Sequence, residues 1–178
     1  MIRVFVVLFS ILFTACSSYT PTTEKILTYH STIPLKKVNS TLFEKFPFTK
    51  KNSAGSLVYK NAFLTPQDSK KVSVTVSFSL KSYEIPEGTD GLVLLNADVR
   101  YNKDQRVVSL TNFKTLKVTI SDSMLAKYVS SKSKRVIASD AIKRLSKVSI
   151  YKIEKNFTTK FIKSVDVQNG KIVVAYGL

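Results

Sequence analysis

Among 178 residues there are one cysteine, one histidine and no tryptophan. Cys16 has no second cysteine to pair with, so no disulfide framework can hold this fold. His30 is the only imidazole, so a histidine-based catalytic triad would have to be built on it, and a Cys/His metal cluster is excluded. Gly55, Gly88, Gly91, Gly170 and Gly177 are the only glycines, and their spacing fits no phosphate-cradling loop. Acidic residues are scarce too, with 12 Asp and Glu against 28 Lys and Arg. Glu84, Glu87 and Asp90 are close in sequence only because they fall around an expected turn. These absences predict a non-enzymatic protein with no catalytic residue, no metal and no cofactor. Nor is there an apolar run long enough to cross a bilayer. The longest is VFVVLFSILF (4–13), which rises roughly 15 Å as a helix against a hydrocarbon core of about 30 Å.

That short run is informative in its context. Arg3 precedes it and Thr14-Ala15-Cys16 follows it, which is the order of an export signal. LFTAC (12–16) resembles the lipobox of bacterial lipoproteins, in which the cysteine becomes the acylated N-terminus; Phe13 stands where Leu is usual. The resemblance implies lipidation (palmitate) at Cys16, a signal peptide at 1–15 and a membrane anchor made of acyl chains. Ser17 follows, with no Asp to hold the protein in the inner membrane, so the expected location is the cell envelope, facing the periplasm from the outer membrane. Residues 16–24, with SSYTPTTE after the cysteine, read as a lipidated tether, and 25–178 as one domain.

A net charge of +16 can attract nucleic acid, but an exported protein meets little of it. No nucleic-acid partner is expected. Anionic membrane headgroups are the available counterpart. Solubility alone is the competing explanation.

Along the domain, 26–31 reads as a first strand. Thr32 and Pro34 mark a helix start, Leu35, Val38, Leu42 and Phe46 share one helical face, and Pro47 ends it. The period then changes to two. Val72, Val74, Val76, Phe78 and Leu80 alternate with Ser73, Thr75, Ser77 and Ser79, an apolar-in, hydroxyl-out antiparallel strand. Residues 57–64 precede it as another strand. Pro86-Glu87-Gly88 and Asp90-Gly91 signal a turn, after which Leu95, Ala97, Val99 and Tyr101 alternate. Leu116, Val118 and Ile120 close a meander whose apolar face needs a cover. The expected cover starts after the cap candidates Ser121-Asp122-Ser123. Met124, Leu125, Tyr128 and Val129 start its stripe, Ile137, Ala141, Ile142, Leu145 and Val148 continue it, and Ser130-Ser131-Lys132-Ser133 offers a break into two helices. Lys134, Arg135, Lys143, Arg144 and Lys147 give this helix a basic surface suited to an anionic bilayer. IYKI (150–153) reads as extended and 157–162 as a short helix. Asn169-Gly170 between two apolar runs signals a hairpin. Glu154-Lys155-Asn156-Phe157-Thr158 matches the extended bacterial glycosylation pattern at Asn156, a match that chance also supplies in a Lys/Asn-rich chain.

Several of these pieces together resemble the YceB-like family of small bacterial lipoproteins, a domain family of unknown function. The carriers are the lipobox, the helix ending in Phe46-Pro47, SLVYKNAFLTPQDSKKVSVTVSFSL (56–80), IYKI and IKSVDVQNGKIVVAYG (162–177). Ser149 and Pro34 depart from the family pattern. The resemblance implies an α+β fold, a curved antiparallel β-meander wrapped around a long amphipathic helix, as in a TULIP-like half-barrel.

The functional expectation is an envelope lipoprotein binding a lipid or other apolar ligand between sheet and helix. Val72, Val74, Val76, Phe78 and Leu80 would face Leu125, Val129, Ile137 and Leu145 across the groove. A closed core made of the same residues is the default alternative for such a stripe. The rival function is a structural or assembly partner of another envelope protein, engaged through the basic surface.

Overall fold

A computed structural model describes residues 28–53, 55–67, 70–155 and 157–177. Cys16, the signal peptide, the tether and Asn156 lie outside the described residues.

Strand β1 (Thr28–Pro34) leads directly into helix α1 (Leu35–Phe43). Pro34 is extended and caps the helix from outside, one position earlier than a first-turn proline. Leu35, Val38 and Leu42 are buried on one face, as their spacing predicts. Strands β2 (Phe48–Asn52), β3 (Gly55–Pro66), β4 (Lys71–Ser82), β5 (Ile85–Asn102) and β6 (Val107–Ile120) then run antiparallel to their neighbours. A short 3₁₀ turn (Leu125–Tyr128) follows, then helix α2 (Ser131–Leu145) and strand β7 (Ser149–Lys152). A second 3₁₀ turn (Phe157–Phe161) precedes the hairpin of β8 (Ile162–Gln168) and β9 (Lys171–Gly177).

The strands make two sheets. One has six strands in the order β2-β3-β4-β5-β6-β7 and does not close on itself. The other has three, β1-β9-β8, with the first strand paired to the last. The architecture is thus mostly antiparallel sheet with two short helices, of 9 and 15 residues. The expected long helix is absent among the described residues. Ser130 interrupts the stripe by accepting a hydrogen bond from the Ser133 N–H, which restarts the chain as a new helix. Asp122 caps the preceding 3₁₀ turn through the N–H groups of Met124 and Leu125.

The inner face of the large sheet holds the core. Val72, Val74, Val76 and Phe78 on β4 are fully buried, as are Val93 and Leu95 on β5. Each such side chain stabilises the fold by about 1.5–3 kcal/mol. Ile137, Ala138, Ala141 and Leu145 of α2 and the buried face of α1 belong to the same cluster. An aromatic row crosses it: Phe46, Phe48, Tyr59 and Phe78 follow one another at centroid distances of 5.4, 4.5 and 6.4 Å. Asn39 ties α1 to the sheet where β2 has ended. Its side-chain amide accepts from the Leu64 N–H and donates to the Leu64 carbonyl, doing for β3 what a neighbouring strand would do.

Two expected features are corrected. Pro86-Glu87-Gly88 and Asp90-Gly91 are not a turn; the chain reverses earlier, at Tyr83-Glu84, and β5 runs through them. Pro86 to Gly88 bulge opposite Lys81, with Gly88 at φ 84°, and Gly91 is required because a Cβ there would meet the Phe78 ring. Leu116 does not point inward. Lys117 pairs with Leu94 and Thr115 with Leu95, which leaves Leu116 as the extra residue of a bulge, 44% exposed.

Candidate functional site

The sheet's apolar face is sealed in its middle and opens at one end. There the β2–β3 and β4–β5 hairpins approach the start of α2, leaving a crevice of about 460 Å³. Its apolar lining is Leu57, Leu80, Ile85, Val129, Val136 and Ile137, with Tyr83 and Tyr128 beside them. Small-molecule sites commonly have this volume and this apolar character. Tyr83, Tyr128 and Val136 are exposed although they are large and apolar. Lys50, Lys81 and Lys132 stand at the rim. Lys50 is committed to Asp140 through an ion pair, whereas Lys81 and Lys132 have no ion-pair partner among the described residues.

Beneath the crevice, Tyr59 holds the helix. Its hydroxyl donates to the Ile137 carbonyl at 2.6 Å. Burial, and then the negative charge of Asp140, pushes the Tyr59 hydroxyl above its ordinary range, so it stays protonated and remains a donor.

Of the nine residues expected to line a groove, Leu80, Val129 and Ile137 line this crevice. Leu125 is partly buried against the core edge. Val72, Val74, Val76, Phe78 and Leu145 lie in the closed core, with no accessible surface. Leu57, Ile85, Tyr128 and Val136 also line the crevice and stand outside the expected groove set, although Tyr128 belongs to the expected stripe. The first two alternate correctly with their neighbours, but nothing local marks them as sitting at the uncovered end.

The five basic residues expected to form one surface, four on α2 and Lys147 just beyond it, do not make one. Lys134 and Arg135 flank β6 across a second, smaller crevice. Arg144 lies on the other flank, its guanidinium 5.1 Å from the Phe48 ring centroid. Lys143 and Lys147 are exposed to solvent.

Glu84, Glu87 and Asp90 do not converge, although Glu84 lines the end crevice together with Asp140. Asp90 lies on the outer face of β5, where hydrogen bonds from Lys60 and Ser79 hold its carboxyl below the usual range. Glu84 sits in the turn and Glu87 in the bulge. His30 is exposed on β1. Among the described residues no cluster of three or more His, Cys, Asp or Glu could hold a metal ion, and no helix is long and apolar enough to cross a membrane.

No family model matches the sequence, and no curated protein matches it. The resemblance to YceB-like lipoproteins therefore rests on the quoted segments alone. Among solved structures, a crystal structure of lipopolysaccharide binding protein aligns with 86% of this chain at 10% identity and a TM-score of 0.28. The chain spans about half the length of that structure, 49%. Chains that superpose at this level need share neither fold nor ligand.

Proposed function

We propose that this protein is a lipid-anchored lipoprotein of the bacterial envelope, outer membrane and periplasm-facing, that binds a lipid or another apolar ligand without catalysing a reaction. The observation that carries the reading is the end crevice. Its floor is aliphatic, two tyrosines stand exposed at its sides, and two lysines without ion-pair partners stand at its rim. An apolar chain would bury itself against Leu57, Leu80, Ile85 and Ile137. A phosphate or carboxylate head would meet Lys81 and Lys132. The lipobox-like LFTAC supports the anchor, and with Cys16 acylated the domain would work beside a membrane.

The deciding measurement is made on the full-length protein, purified and delipidated. Native mass spectrometry should show uptake of one fatty acid or phospholipid per chain. A Lys81→Gln/Lys132→Gln variant should lose preference for the acidic amphiphile over its neutral counterpart. No uptake of any amphiphile would overturn the proposal. Separately, Cys16→Ala should abolish palmitate labelling; normal labelling would end the lipoprotein reading.

A further inference from the structure

The far edge of the large sheet is incompletely covered. Strand β7 pairs with β6 only at Val107, Val108 and Ser109. From Leu110 to Ile120, β6 is bonded to β5 on one side and has no strand on the other among the described residues. Lys114 to Lys117 is exposed without interruption. Beside this edge, a crevice of about 350 Å³ separates Thr115–Val118 from Lys134, Arg135, Ala138, Ser139 and Ile142 of α2. Its floor is aliphatic (Val118, Ala138, Ile142), three of its lining residues are cationic and none is acidic.

We propose that this edge receives an extended segment of a partner protein in which acidic and apolar residues alternate. Backbone addition to β6 would satisfy the open row of N–H and C=O groups. Side chains of an added strand alternate between the two faces. On the inner face they meet the crevice, lined by Thr115, Val118, Ala138 and Ile142. On the outer face they meet Lys114 and Lys117, which pair with Asn96 and Leu94. Apolar residues suit the first row and carboxylates the second.

The same lysines decide against other strands. A second copy of β6 would bring Lys114 and Lys117 against their own equivalents. Lysines and bulges on an edge are devices against indiscriminate pairing. Here they disfavour basic strands and make an acidic one the complementary partner. This inference is independent of whether the end crevice takes a lipid.

The test uses the full-length protein in neutral detergent micelles and a short fluorescent peptide alternating Glu and Val. The peptide should bind, and Lys114→Glu/Lys117→Glu should weaken it at least tenfold; both side chains are exposed, so folding is preserved. Hydrogen exchange should show new protection in 114–120. The peptide with alternate backbone amides methylated keeps its charge but cannot complete the ladder, and should bind at least tenfold more weakly. The proposal is overturned by no binding, by equal binding of the methylated peptide, or by equal binding of a Lys-for-Glu peptide. It is likewise overturned if the amides of 114–120 that β5 does not bond are already protected without peptide, which would mean that the chain's own N-terminal segment or a second copy covers the edge. Protection gained only in anionic vesicles, with no peptide binding, would assign the face to a bilayer instead.

Discussion

The middle of the large sheet and its open end use the same alternation and reach opposite outcomes. Val72, Val74, Val76 and Phe78 lose all contact with water, while Leu80, next in the same row, lines a crevice. The strand is continuous between them, so the difference comes from the cover. Helix α2 reaches over the middle with Ile137, Ala141 and Leu145, but it begins only at Ser131. Binary patterning decides which side chains face inward; helix length and placement decide which of those remain reachable by a ligand.

The sharpest test of that contrast has the largest effect. Val76→Asp places an unpaired charge in the sealed region and should cost about 3–5 kcal/mol or prevent folding. Ser77→Asp, on the outer face, gives up only the Ser77–Asn61 hydrogen bond and should cost about 0.5–1 kcal/mol. Denaturant unfolding of both variants checks it; equal losses would break the face assignment.

Tyr59→Phe probes the boundary between the two regions. Removing the donor takes one hydrogen bond from the Ile137 carbonyl and should cost about 0.5–1.5 kcal/mol. The effect should depend on pH in one direction. The folded hydroxyl titrates above the ordinary value of 10.0. Below pH 10 its contribution is fully present. Above pH 10 the unfolded state releases its proton first, so stability falls as pH rises towards the folded value. The gap between wild type and Tyr59→Phe should therefore narrow above pH 10 in unfolding curves; a constant gap would contradict the buried donor.

At the rim, Lys50→Met breaks the pair with Asp140, in which Lys50 is half exposed, and should cost at most about 1 kcal/mol. Its melting temperature should depend less on salt than that of the wild type. The smallest effect on stability is expected within the open region. Val136→Asp adds a charge at a position already 50% exposed and should change stability by under about 0.5 kcal/mol. It should nonetheless reduce amphiphile uptake, measured by native mass spectrometry. A large loss of stability there would mean that the crevice is closed core after all.

Much of the local structure was legible. The β4 alternation, the α1 face, the Ser130 break and the Asn169-Gly170 hairpin all follow from short-range chemistry; the two hairpin residues have φ of 48° and 71°, as such a turn requires. Pro86-Glu87-Gly88 misled because the same residues serve turns and bulges, and only the pairing partner distinguishes them. Leu116 misled because a bulge shifts the register without leaving a trace in composition. The splitting of the basic residues was legible in principle. Arg135 and Arg144 are about two and a half helical turns apart and must face opposite ways. The end crevice was not legible, because it depends on where α2 begins relative to hairpins remote in sequence.

The pairing of β1 with β9 sets an order of events. Thr28 to Pro34 lies opposite Lys171 to Gly177, and the Ser31 and Tyr176 hydroxyls meet across 145 positions. The start of α1 depends on the same remote hairpin, since the Leu35 N–H donates to the Gly170 carbonyl. While the chain is being made, its first strand has no neighbour until its last has emerged. A chain that stops short of residues 171–177 therefore carries β1 unpaired beside the start of α1, and the small sheet can form only once that segment has been made.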